Sequence, residues 1–162
     1  MPKRAFKPRV VGLISDTHGL LRPGVHDALT GVEIILHSGD VGGSGILDEL
    51  RLIAPVKAVF GNTDPQDEPE LSEEIVFEIN GMRVHVSHGH EVGSPTPAKL
   101  AARYDADVIV FGHTHLPHVS RLGKQLFVNP GAAGPKRFNL SPSVGRLTIT
   151  GGSAEVEIVD IV

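Results

Sequence analysis

The chain of 162 residues is 40% apolar, 21% charged and 4% aromatic, with a formal charge of -4, which suits one domain over residues 1–162 with a substantial core. That balance excludes a polybasic nucleic-acid binder and a disordered acidic chain. Cysteine is absent, which excludes disulfides and thiolate metal sites, so any metal must sit on His, Asp, Asn or Glu.

The first residues, MPKRAFKPR, are basic but lead into a single short apolar run, so neither a signal peptide nor a membrane span is expected, and the protein is expected in the cytoplasm. Lys3, Arg4, Lys7 and Arg9 read as a solvated terminus or a contact for an acidic partner. The run Val10 to Ile14 ends at Ser15-Asp16, and Arg22-Pro23-Gly24 then opens a short helix to Leu29, with proline in the first turn. Val32 to Leu36 leads to His37-Ser38-Gly39-Asp40. Gly42-Gly43-Ser44 supplies a loop and cap before Ile46, Leu47, Leu50 and Ile53, which line one helix face. Val56 to Phe60 ends at Gly61-Asn62. These alternating strands and helices predict an α/β domain whose first strands are parallel.

Residues 64–74, DPQDEPELSEE, read as an exposed acidic loop. Asn80-Gly81 between EIVFEI and RVHVSH is a hairpin signal. Pro95 to Tyr104 predicts a short helix, and Asp107 to Phe111 a buried strand. Pro117 to Leu122, Gln125 to Val128, Val144 to Thr150 and Glu155 to Ile161 read as a meander.

Apolar runs end repeatedly in metal-competent groups: Asp16 with His18, Asp40, Asn62, His88, and His113 with His115. The carboxyl ends of strands in α/β sheets are where ligands sit. Singly, each group has a plain structural alternative: a turn for Gly-Asp or Gly-Asn, a core histidine for His88, a histidine-rich surface turn for GHTH. In series they point to one site fed by separate segments.

The series Asp16-x-His18, Gly39-Asp40, Gly61-Asn62-x-Asp64, His88-Gly89 and Gly112-His113-Thr114-His115 resembles the calcineurin-like metallophosphoesterase superfamily. Asn129-Pro130-Gly131 and the short chain are similar to its small prokaryotic phosphodiesterases. The resemblance implies a four-layer α/β/β/α sandwich, two mixed sheets flanked by helices, with two divalent metal ions at the strand ends. It places Asp16, His18, Asp40 and His115 on one ion and Asp40, Asn62, His88 and His113 on the other, so that Asp40 bridges, a place that suits a carboxylate because it has two oxygens and a negative charge. Asp40, Asn62 and His88 are the residues it puts closest to catalysis. Manganese is the expected metal, with Fe, Zn, Co or Ni as alternatives.

Two such ions roughly 3.5 to 4 Å apart activate a hydroxide for in-line attack on a phosphoester, so no serine or cysteine nucleophile is needed. The expected substrate is a small phosphodiester, with no long nucleic acid and no membrane as partner; a homo-oligomer is left open. The alternatives are a phosphomonoesterase or phosphoprotein phosphatase, and a non-catalytic scaffold that retains the fold. One departure stands out. Many superfamily members read Gly-Asn-His-Asp or Gly-Asn-His-Glu, where this chain has Thr63, which cannot act as an ordinary acid near neutral pH.

The remaining histidines are expected in lesser roles. His37 and His85 read as core residues, His37 with the option of orienting a ligand near Asp40. His90 is close enough to touch substrate or metal, His118 faces either pocket or solvent, and His26 is expected to be solvated. Lys136 or Arg137 are candidates to contact a phosphate oxygen, and Asn129 to support the site.

Overall fold

The computed structural model describes residues 7–136 and 139–161, so Lys3, Arg4 and Arg137 lie outside the described residues. In chain order the elements are β1 (Arg9–Ile14), α1 (Gly24–Ala28), β2 (Ile34–His37), α2 (Ser44–Leu50), β3 (Val56–Val59) and β4 (Leu71–Ser72). There follow β5 (Ile75–Ile79), β6 (Met82–Val86), a 3₁₀ turn (His90–Val92), α3 (Pro97–Arg103), β7 (Val108–Val110), β8 (His118–Leu122), β9 (Gln125–Asn129), β10 (Ser143–Thr150) and β11 (Ser153–Asp160).

A six-stranded sheet has the order β11-β10-β1-β2-β3-β4 and a five-stranded sheet the order β5-β6-β7-β9-β8. Both are mixed: β1, β2, β3 and β4 are parallel and β10 runs against β1, while β6, β7 and β9 are parallel and flanked by antiparallel β5 and β8. Val11, Leu13 and Leu147 from the first sheet pack against Val84, Val108 and Val128 from the second, forming the central core. The opposite face of the first sheet, with Ile14, Ile35 and Val144, carries α1 and α2. Leu100 of α3 covers Ile109 and Phe127 on the outside of the second. The four layers expected from the resemblance are therefore present.

Short strands and helices are held by burial more than by local propensity. Helix α2 has seven residues and Gly43 at its N-cap, with no side-chain cap bond; Ser44 starts the helix instead of capping it. Such a helix is marginal alone. Burying Ile46, Leu47 and Leu50 contributes roughly 2 kcal/mol each, well above the ~1 kcal/mol that a cap supplies. Helix α3 has both aids: Thr96 caps it by accepting the Lys99 N–H, and Leu100 is buried. Gly12 lets α1 approach β1, since a Cβ there would stand 3.2 Å from Leu29 and Val32 side-chain atoms.

The Asn80-Gly81 hairpin forms as expected, with φ of 49° and 78° at its two turn residues, the left-handed pair a tight hairpin needs. Ile53 lies beyond the end of α2 and so is not on its face, and two larger expectations fail. The final third is not one meander: β8 and β9 pair in the second sheet, whereas β10 and β11 pair in the first. Residues Val144, Leu147 and Ile149 of β10 are fully buried, two of them in the central core and Val144 on the helix-covered face, so β10 needs cover on both sides and takes an inner position between β1 and β11. The acidic segment is not wholly an exposed loop either. Leu71–Ser72 adds a parallel edge strand to β3, and Asp64 is buried. Among the described residues no helix is long and apolar enough to cross a membrane.

Candidate metal centre

Every donor named from sequence follows the carboxyl end of a strand. Asp16 and His18 follow β1, Asp40 follows β2 and Asn62 follows β3; His88 follows β6, and His113 and His115 follow β7. One sheet thus supplies carboxylates, an amide and an imidazole, and the facing sheet supplies three imidazoles.

The backbone that aims them is strained. Asp16, His18, Asp40, His113 and His115 have φ between 47° and 72°, a left-handed conformation that costs a non-glycine residue about 1 kcal/mol or more. Neighbouring hydrogen bonds hold it in place. Asp16 N donates to Gly39 O at 3.0 Å, His18 N to Asp40 O at 2.9 Å and Thr114 N to Gly112 O at 2.9 Å. The chain past Gly112 is therefore a turn and not an extended strand. A Cβ at Gly61 would collide with the Asp40 carboxylate, so glycine is what lets the Asn62 loop close on Asp40.

Each carboxylate has one oxygen tied down and one aimed inward. Asp16 Oδ2 accepts from Ser15 Oγ at 2.6 Å and from the His113 amide at 3.2 Å. Its Oδ1 faces Nε2 of His115 at 3.4 Å, His18 at 3.7 Å and His88 at 3.9 Å. Asp40 Oδ1 accepts the Thr63 amide at 2.9 Å, and Oδ2 faces Nε2 of His88 at 3.3 Å and His18 at 3.6 Å. Only Oδ2 points between the His18 and His88 groups, and Asp16 Oδ1 shares that position.

His88 donates its Nδ1–H to Ser38 O at 2.8 Å, which turns Nε2 toward Asn62 Oδ1 at 3.0 Å. His113 Nδ1 lies 3.1 Å from the same Asn62 oxygen. The ring centroids of His18 and His115 are 5.3 Å apart, and those of His88 and His113 are 5.2 Å apart. The two histidines of GHTH thus diverge, His113 toward Asn62 and His88, His115 toward Asp16 and His18.

Burial pushes the Asp16 carboxyl toward the neutral acid, but His18 beside it and the charge of His88 outweigh burial and lower its pKa. Burial acts the same way on Asp40 and is overcome by the His88 hydrogen bond and charge and by Thr63, so Asp40 sits well below the usual carboxylate range. For His88 burial disfavours the cation, yet the Asp40 hydrogen bond and the charges of Asp16 and Asp40 raise its pKa. His113 is lowered by burial and by the charge of His88, which keeps its imidazole neutral.

Donor atoms of Asp16, His18 and His115 lie within 4.8 Å of one another, as do those of Asp16, Asp40 and His88, so both groups can hold a metal ion. Asp16 Oδ1 and His18 Nε2 are buried with no hydrogen-bond partner among the described residues. A buried carboxylate oxygen facing three imidazole nitrogens is an electron-pair-rich arrangement that a divalent cation satisfies. The residues present fit the group that the resemblance implies.

The other histidines sort as follows. His37 Nδ1 accepts the Gly39 amide at 3.1 Å, so its Nε2–H donates to Thr17 Oγ1 at 2.9 Å, and that hydroxyl donates to Val41 O. It braces the loop before Asp40. His85 bonds Glu74 and stacks on Tyr104 at 3.8 Å. His118 pairs with Ser120, and His26 lies 3.3 Å from Glu49. His90 is nearer the centre, its ring 5.3 Å from that of His88. Asn129 supports the site as expected, donating to Gly112 O and Thr114 Oγ1 while accepting the Gly131 amide. Lys136 lines a small cleft with His115.

Sequence reasoning missed the braces. Asp64 accepts the amides of Val41, Gly42 and Gly61 at 2.9 to 3.1 Å, binding the loop after Asp40 to the loop before Asn62. Its place two residues after Asn62 was visible, but its charge suggested solvent. Ser15 and the Thr63 amide were likewise unmarked.

Carboxylates and imidazoles converging with one amide oxygen, and no sulfur, define a metal centre of the kind that hydrolytic enzymes use. A family model for the calcineurin-like phosphoesterase superfamily domain matches residues 10–152, and the chain belongs to that superfamily. A probable metallophosphoesterase of Methanothermobacter thermautotrophicus is 37% identical over 158 residues, covering 93% of this chain and 91% of the relative. A phosphodiesterase of Methanocaldococcus jannaschii is 28% identical, covering 75% and 82%. Among solved structures, Vps29 of Entamoeba histolytica complexed with zinc superposes with a TM-score of 0.76 at 28% identity, over 93% of this chain and 98% of that one.

Proposed function

We propose that this protein is a phosphodiesterase that works with two divalent metal ions on small phosphodiesters. The observation that carries this reading is the pair of inward oxygens, Asp16 Oδ1 and Asp40 Oδ2, each facing imidazoles that belong to both donor groups. Asp16, His18, Asp40 and His115 would hold one ion, and Asp40, Asn62, His88 and His113 the other. When bound, such ions supply Lewis-acid polarisation of a phosphoryl oxygen and a hydroxide nucleophile at neutral pH.

The protein's own part is to fix the donors before substrate arrives. Ser15, Thr63 and the His113 amide hold the carboxylates in single orientations, and Ser38 fixes the His88 tautomer. Asn62 adds an oxygen without adding charge, which leaves the centre cationic toward a phosphate. Thr63 offers no proton to a departing alkoxide, which favours esters whose leaving group departs as an anion unaided. The phosphodiesterase relative supports a diester over a monoester. Manganese is our expected metal, and the net charge of -4 supports small substrates over long nucleic acid.

The likeness to Vps29 favours one second reading, a non-catalytic protein that keeps the fold. Comparing bis-p-nitrophenyl phosphate with p-nitrophenyl phosphate, using metal-loaded protein, separates the readings: faster diester turnover supports the proposal, faster monoester turnover a phosphatase, and no turnover the scaffold.

A further inference from the structure

We infer that Glu91, held in place by Tyr104, is a positioning residue for the His88 half of the metal centre; the inference rests on the two-metal reading above. Glu91 Oε1 accepts the Gly89 N–H at 2.8 Å, and Oε2 accepts the Tyr104 O–H at 2.7 Å. Gly89 N belongs to the same peptide unit as the His88 carbonyl, and that carbonyl accepts the Gly112 N–H at 2.9 Å. The peptide leaving His88 is therefore pinned on both sides, to the loop of His113 by Gly112 and to the start of the 3₁₀ turn by Glu91. A rotation of this peptide would swing the His88 Cα and with it the ring that Ser38 and Asn62 receive.

Glu91 is itself anchored from a distant part of the chain. Tyr104 is the C-cap of α3, and its ring stacks on His85, which bonds Glu74. The carboxylate has only 18% of its side-chain surface exposed, so water cannot readily replace it as acceptor for Gly89. Gly89 has φ of 101°, and a Cβ at that position would stand 3.0 Å from the Pro95 ring, so the turn has little slack. The peptide that Glu91 holds carries His88, whereas His18 stands on the loop after β1 and His115 lies three residues beyond the Gly112 contact, so loss of Glu91 acts first on the His88 half of the centre.

The test is titration of the metal-free full chain with Co2+, followed by calorimetry and by the visible spectrum of the bound ions. Wild type takes up two ions. Glu91→Ala weakens one of them about tenfold, the lower end of what loss of a ligand-orienting partner costs, shifts the spectrum of that ion, and leaves the other unchanged. Glu91→Gln recovers most of the affinity because its amide oxygen still accepts from Gly89, and Tyr104→Phe falls between. Two ions bound by Glu91→Ala with wild-type affinity and spectrum overturn the inference. So does equal weakening of both ions in step with a lower Tm, which marks a purely structural role. Wild type that binds fewer than two ions overturns the two-metal reading first, and the inference with it.

Discussion

The amide of Thr63 donates to Oδ1 of Asp40 at 2.9 Å. The position where many relatives of this superfamily carry histidine therefore serves the centre first through its backbone, with the Thr63 hydroxyl as a lesser partner of Asp40.

The side chain at 63 is consequently less important than the peptide. Thr63→Ala keeps the metal content of wild type and lowers diester hydrolysis by less than about tenfold, below the 10- to 100-fold loss typical of a ligand-orienting partner. Elemental analysis with steady-state kinetics checks this, and loss of both ions in Thr63→Ala would contradict it.

Because Asp16 Oδ1 and Asp40 Oδ2 both face imidazoles of the two donor groups, replacing either carboxylate affects both ions. Asp40→Ala abolishes measurable turnover and reduces metal content to less than one ion per chain, whereas Asp16→Ala loses the ion on the His18 side and weakens the other, whose His88 its Oδ1 also faces. His18→Ala retains the ion on the His88 side and some activity. Retention of two ions in Asp40→Ala speaks against a shared oxygen.

Asp64 is a structural clamp. Truncation in Asp64→Ala leaves the amides of Val41, Gly42 and Gly61 without their acceptor, and an unsatisfied buried donor costs about 1 to 3 kcal/mol. Partial access to water tempers the sum, so the expected loss in urea unfolding is about 3 kcal/mol. A change below about 0.5 kcal/mol, typical of a surface site, would show that the clamp is dispensable.

Legibility of the site followed from chemistry that is local in sequence. Each donor ends an apolar run, so a strand reading alone brings Asp16, Asp40, Asn62, His88 and the GHTH pair to sheet ends. What stayed hidden depends on contacts across the chain. Asp64 and Glu91 look like loop charges until the amides they accept, 23 and 2 residues away, are placed beside them. The split of the last four strands between two sheets was equally hidden, since β8–β9 and β10–β11 are each ordinary hairpins with one strand, β9 or β10, buried on both faces, and only contacts across the chain assign each hairpin to its sheet.

His37 makes stability depend on pH. Burial holds its pKa down to about 4 from the ordinary 6.5, partly offset by the charges of Asp16 and Asp64. Below 6.5 the unfolded chain takes up a proton that the folded chain refuses, so the His37 contribution falls as pH drops from 6.5 toward 4 and is constant above. One pKa unit is about 1.4 kcal/mol, so the stability of wild type relative to His37→Gln falls by about 3 kcal/mol across that window in urea titrations. A difference independent of pH would show that His37 protonates as readily in the folded protein as in the unfolded chain.

Hydrolysis of a phosphodiester by two metal ions on these donors is open to direct measurement. Chelator-stripped protein is titrated with Mn2+ while hydrolysis of bis-p-nitrophenyl phosphate is followed. No turnover is expected in the stripped protein, and full turnover is expected at two ions per chain. Turnover that is complete at one ion, or absent with Mn, Fe, Co, Ni and Zn alike, would contradict it.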